Sequence, residues 1–137
     1  MTVRQTLEPG SPFDIYKSVL TKKYADFTGR ARRAEYWWFV LINFVVMFSL
    51  LVLTIILSGS NDSLTGLGGI IYAVYALGVI LPSLAVTVRR LHDTGKSGWM
   101  LLIGLIPFVG LIILLVFYFT DGEPGANQYG PSPKYVS

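Results

Sequence analysis

The 137-residue chain contains no cysteine and a single histidine. Without cysteine it has no disulfide, no thiolate nucleophile and no sulfur ligand, and its redox compartment goes unspecified. One histidine with no cysteine leaves a nitrogen- or sulfur-liganded metal centre without a ligand set. Charge is scarce as well: Asp, Glu, Lys and Arg make up 14% of the chain, against about 25% in a soluble domain. Hydrophobic residues reach 53% and the mean hydropathy is +0.57, so the chain reads as one domain solvated mainly by lipid. The net charge of +3 and pI near 9.3 would suit nucleic acid. The basic residues, however, border the apolar runs, which points to a membrane surface and to no nucleic-acid partner.

Residues 1–12 read as a disordered lead-in, punctuated by Pro9, Gly10 and Pro12. It is not read as a signal peptide, because no short apolar core with a small-residue cleavage site follows. Over residues 13–27, Phe13, Tyr16, Leu20, Tyr24 and Phe27 recur at three- and four-residue steps, one narrow stripe on an amphipathic helix. That stripe suits either the headgroup plane, with Lys17 and Lys23 snorkelling, or packing against the membrane domain, and the two are compatible. Thr28 and Gly29 break the pattern, and a new helix is expected near Ala31.

Three uncharged runs follow, 36–57, 67–88 and 98–120, each of 22 or 23 residues and long enough for a hydrocarbon core of about 30 Å. Tyr36, Trp37 and Trp38 anchor the first aromatically. Pro82 is expected to kink the second, tolerated where a neighbour satisfies the freed carbonyl. Pro107 and Gly110 interrupt the third, expected as a kinked crossing with a re-entrant hairpin as the alternative. Residues 121–137 read as an irregular tail. The fold class expected is therefore an all-α membrane protein, an amphipathic N-terminal helix plus three transmembrane helices, in a single domain.

Ten of the eleven Lys and Arg residues fall before the first run or between the second and third; only Lys134 does not, and the 58–66 turn has none. The positive-inside rule then makes the N-terminus cytoplasmic. The tail lies outside with three crossings, inside with a hairpin.

Two polar clusters organise the chain: Thr28–Glu35 and Arg89–Trp99. On helices, Arg32, Glu35, Phe39 and Asn43 share one face, and Ser83, Thr87 and Arg90 another. Polar faces in a bilayer turn inward, so Glu35 is expected to pair with Arg89 or Arg90, and Asp93 with Arg32 or Arg33. Gly95-Lys96-Ser97 is not a P-loop, because Arg90 stands where that motif needs its first glycine and no strand precedes it. His92 and Asp93 are neighbours that point about 100° apart on a helix, so they form no dyad. Ser97 lacks a nucleophile-elbow pattern, while Asp121 and Glu123 read as solvated in a soft tail. No catalytic, metal or cofactor residue is assigned. The headgroup or partner site expected comprises Arg30, Arg32, Arg33, Glu35, Arg89, Arg90, His92, Asp93 and Lys96.

The motifs F-x-G-R-A-R-R-x-E-Y-W at Phe27–Trp37, R-R-L-H-D-T-G-K-S-G-W at Arg89–Trp99, the Ile106-Pro107 and Gly110 interruption, and G-x-x-G-x-N-x-Y-G-P at Gly122–Pro131 resemble the small bacterial inner-membrane family known as domain of unknown function 805. The resemblance runs from about Tyr16 to Pro133. It implies a multi-pass protein of the bacterial inner membrane and assigns no activity. The chain departs from the family at Gln128, where a basic residue often precedes the Tyr-Gly pair.

The function expected is that of a non-enzymatic inner-membrane protein. Its cytoplasmic basic cluster binds membrane lipids, anionic ones preferred, or a partner protein. A small oligomeric transporter or channel is the alternative, and a homo-oligomer or a membrane-protein partner fits either.

Overall fold

The computed structural model describes residues 6–59 and 61–135; the expectations for residues 1–5 and 136–137 lie outside them. Among the described residues there are four α-helices, one 3₁₀ helix and no strand. Ser11 starts α1 (Pro12–Leu20), its hydroxyl accepting the Asp14 N–H at 3.2 Å, with Pro12 where a missing donor does no harm. The helix stops at Leu20 rather than at Phe27. Tertiary partners win over the helical stripe here, because Lys23 turns to Glu35 (2.8 Å) and Tyr24 turns to α3. The buried face of α1 is Ile15, Tyr16 and Val19, while Phe13 stays exposed. Tyr16 stacks on Phe39 at 5.5 Å and its hydroxyl meets that of Tyr75, which donates to Asn43 Oδ1 at 3.0 Å. The stripe thus packs on the two long helices.

Those helices are α2 (Arg33–Ser58) and α3 (Asp62–Asp93), both long and apolar enough to cross a membrane. The most apolar stretch of α2 has no buried residue, an exposure that water does not tolerate over so long a run. The helices approach closely where Gly68 faces Thr54; a Cβ at 68 would lie 3.0 Å from the threonine hydroxyl. α3 runs unbroken through Pro82. Proline cannot donate to the carbonyl four residues back, and the Tyr24 hydroxyl donates to that Gly78 carbonyl instead, at 2.7 Å.

α3 ends in a Schellman motif: Gly95 N–H bonds the His92 carbonyl and Lys96 N–H the Leu91 carbonyl, both at 2.9 Å, with Gly95 at φ +78°. Ser97 then caps the 3₁₀ helix Gly98–Leu105. The Gly-Lys-Ser-Gly turn is therefore a helix stop followed by a helix start.

The third apolar run does not continue as one kinked helix. It reverses at Pro107-Phe108-Val109, where the Val109 N–H bonds the Pro107 carbonyl at 2.7 Å and Phe108 sits at φ 61°, ψ −57°, a strained γ-turn. α4 (Val109–Phe119) then lies back against the 3₁₀ helix. A Cβ on Gly110 would strike the Ile103 carbonyl, so glycine permits the close pass. The run forms a hairpin, and its two ends emerge together beside the end of α3.

Candidate functional site

Where these ends meet, Asp93 receives two guanidinium groups, Arg30 Nε at 2.9 Å and Arg90 Nη1 at 2.7 Å. All three side chains are at most 3% exposed. One carboxylate balances half of that buried charge, and backbone carbonyls solvate the rest. Arg30 uses all five of its N–H donors, on Asp93 Oδ1 and on the carbonyls of Asp93, Glu123, Gly125 and Gly130. Arg90 reaches the carbonyls of Ala31 (3.0 Å), Tyr118 (3.1 Å) and Thr120. Arg33 adds the Phe119 carbonyl at 3.2 Å, and Trp37 Nε1 shares that of Tyr118. The unsatisfied carbonyls at the negative end of α4 thus meet cationic donors. This is the physical reason the hairpin returns to this end of α3.

Glu35 forms the second centre. Arg89 Nη1 lies 2.7 Å from Glu35 Oε1 and Lys23 Nζ 2.8 Å from the same oxygen. Arg89 is buried and donates through Nε to the Asp26 carbonyl, while its Nη2 lacks a partner among the described residues. The Glu35 pairing read from sequence is with Arg89. The partners of Asp93 are Arg30 and Arg90, not Arg32 or Arg33: α2 begins only at Arg33, so Arg30 precedes it in extended chain and points at the end of α3. Arg32 instead donates to the Leu7 carbonyl at 2.6 Å, its Nε buried without a partner among the described residues. Lys96 lies over the Phe117 ring at 4.6 Å.

His92 stacks on Tyr129, ring centroids 3.7 Å apart and planes 3° from parallel, and its Nδ1 lies 3.0 Å from the Gly29 carbonyl. Asn127 Nδ2 donates to the His92 carbonyl at 2.9 Å. The tail lacks regular structure, as expected, yet it is docked. Gly122 admits the Asp93 carboxylate, and a Cβ there would collide with it. The tail also meets the lead-in, where Leu7 N–H bonds the Lys134 carbonyl at 2.6 Å.

Asp121 is no solvated bystander. It takes Lys134 at 3.2 Å, the Tyr135 hydroxyl, and Arg33 at 3.5 Å. Burial pushes its carboxyl up, but Tyr135, Lys134 and Arg33 outweigh that and hold it below the usual carboxylate range. Asp26 is likewise held low, chiefly by the Thr28 hydroxyl at 2.6 Å.

Of the nine residues grouped from sequence, the structure assembles Arg30, Glu35, Arg89, Arg90 and Asp93 in two adjoining centres, sets His92 against Gly29 and Tyr129, and leaves Arg32, Arg33 and Lys96 outside both. Sequence reading missed Lys23, Tyr129, Asn127 and the tail carbonyls, whose signal was the density of glycine and turn-forming residues in Gly122–Pro131.

The family described as "Protein of unknown function (DUF805)" matches residues 24–131. The chain is 46% identical over 121 residues to Inner membrane protein YhaH of Escherichia coli (strain K12), covering 88% of this chain and 97% of the relative. It is 46% identical over 122 residues to Inner membrane protein YhaI of the same strain, covering 89% and 97%. Uncharacterized protein YiiR, also of that strain, is 32% identical over 144 residues, covering 80% and 87%. No solved structure matches.

Proposed function

We propose, from the premise that this chain belongs to the DUF805 family, that it is a non-enzymatic integral protein of the bacterial inner membrane whose cytoplasmic basic rim holds anionic lipid headgroups. In this reading α2 and α3 cross the bilayer, the 98–120 hairpin dips into one leaflet, and both chain ends lie in the cytoplasm. Membrane residence accords with the inner-membrane names of the relatives. Lengths favour the hairpin as re-entrant. Eight 3₁₀ residues and eleven α-helical residues each rise only about 16 Å, half of a hydrocarbon core of about 30 Å.

The observation that carries the proposal is the return of the tail to the Arg30–Asp93–Arg90 centre. It puts Lys134 at the same end of the molecule as the other basic residues. The ten Lys and Arg among the described residues then share that end with seven acidic residues, and Asp62 is the one described charge at the other. This is the positive-inside pattern without exception.

Arg30, Arg89 and Arg90 are committed internally. Headgroup attraction therefore falls to a rim of Lys17, Lys22, Arg32, Arg33, Lys96 and Lys134, at about 1 kcal/mol per basic residue near an anionic surface. A non-enzymatic role fits His92, which is held by a backbone carbonyl and an aromatic face rather than by a carboxylate.

The test compares retention of phosphatidylglycerol and phosphatidylcholine by folded protein. Preference for the anionic lipid, lost in high salt and reduced by combined Lys17→Ala, Lys22→Ala and Arg33→Ala, is expected. Equal retention at low salt would overturn the proposal.

A further inference from the structure

A cleft of about 510 Å³ opens between α3, the 3₁₀ helix and the tail, within the size range of small-molecule sites. Along α3 its lining passes from Leu84 through Val88 to His92, and Leu101, Leu102 and Tyr129 face that row. From Leu84 to His92 is eight residues, about 12 Å along a helix, so the cleft is graded from apolar to polar along the direction in which a lipid is. Its rim is unshielded: Trp99 is 80% exposed and Leu102 56%. A water-soluble ligand would leave that rim wet, whereas a bilayer covers it, with Trp99 at the depth tryptophan prefers.

The polar end is specific. His92 is only 8% exposed, with its Nδ1 edge on the Gly29 carbonyl and one ring face on Tyr129. A carbonyl only accepts, so Nδ1 carries the hydrogen and the neutral ring offers Nε2 as an acceptor. Nε2 has no hydrogen-bond partner among the described residues.

We infer that this cleft seats one acyl chain of a bilayer phospholipid whose headgroup carries a hydrogen-bond donor, such as a primary ammonium, held by His92 Nε2. The site is separate from the charged rim and requires only that the protein reside in a membrane.

The probes are dioleoyl phosphatidylethanolamine and dioleoyl phosphatidylcholine. Both lack net charge, and they differ in whether the headgroup nitrogen has hydrogens. Full-length protein released from equimolar mixtures should retain phosphatidylethanolamine about five- to tenfold over phosphatidylcholine by native mass spectrometry, the worth of one hydrogen bond. His92→Asn keeps a donor for Gly29 and leaves its amide oxygen short of the Nε2 position, so the preference should vanish. Leu102→Trp fills the cleft and should lower retention of both lipids.

A measurement that leaves His92 and Leu102 in place guards against a variant of either that fails to fold. Acyl chains brominated near their middle should quench the emission component that Trp99→Phe removes, and more strongly on phosphatidylethanolamine than on phosphatidylcholine at equal mole fraction. Equal retention with equal quenching, or a preference that survives in folded His92→Asn, overturns the inference. Because neither probe is anionic, this result stands apart from the fate of the charged rim.

Discussion

Arg30 and Asp93, sixty-three residues apart in the chain, meet at 2.9 Å with side chains 1% and 3% exposed. Arg30 also gathers the carbonyls of Glu123, Gly125 and Gly130, so one guanidinium joins the approach to α2, the end of α3 and the tail. Asp93→Ala would strand two buried cations, with an expected loss of about 3–5 kcal/mol. Arg30→Lys should not rescue Arg30→Ala, because an ammonium has three donors and no planar fork for five acceptors. Denaturation in detergent measures both, and a double-mutant cycle showing additive effects for Arg30 and Asp93 would contradict the pairing.

At Glu35 the two cations differ in burial. Arg89 is 1% exposed and Lys23 40%. Removing Arg89 is expected to cost about 3–5 kcal/mol, and removing Lys23 about 1 kcal/mol or less. Glu35 should couple to Arg89 and act additively with Arg90, whose carboxylate partner is Asp93. The same thermal assay on the two cycles decides the assignment.

Tyr24 stands in for the N–H that Pro82 lacks, through its bond to the Gly78 carbonyl. Tyr24→Phe should therefore cost about 1–3 kcal/mol, the penalty of an unsatisfied carbonyl. In a Pro82→Ala background the helix supplies its own donor, and Tyr24→Phe should become nearly neutral. An equal loss in both backgrounds would show that the phenol acts otherwise.

Asp121 gives the tail an acid limit. Its folded carboxyl titrates below the usual carboxylate value, about 3.9 when unperturbed. The stabilisation is therefore complete above that value and is lost as pH falls through the lower folded one. Amide exchange over residues 121–135 should accelerate below about pH 4, and Asp121→Asn should show fast exchange at neutral pH with no acid step. An acid step unchanged in Asp121→Asn would assign it elsewhere.

Sequence reading reached the two long helices, the polar clusters and the pairing of Glu35 with either Arg89 or Arg90, because hydrophobic run length and charge placement are strong local signals. It did not reach the end of α1, since the stripe through Tyr24 continues on paper while Lys23 and Tyr24 are drawn off by Glu35 and Gly78. It left a kinked crossing over 98–120 beside a re-entrant hairpin because composition alone cannot separate one long helix from two short limbs. What separates them is a γ-turn at Phe108 and a close pass at Gly110. The docked tail escaped notice for a similar reason. Its contribution is made largely by backbone carbonyls, which every residue carries and no composition reveals.

Cysteine labelling reads directly on which side of the membrane the tail lies. The chain has no cysteine, so single cysteines at Gly59, Lys96 and Glu123 can be labelled with an impermeant maleimide in intact cells and in inverted vesicles. Labelling of position 59 from outside only, and of positions 96 and 123 from the cytoplasmic side only, is the expected result. Labelling of position 123 from outside, with position 96 inside, would contradict it and restore a third full crossing.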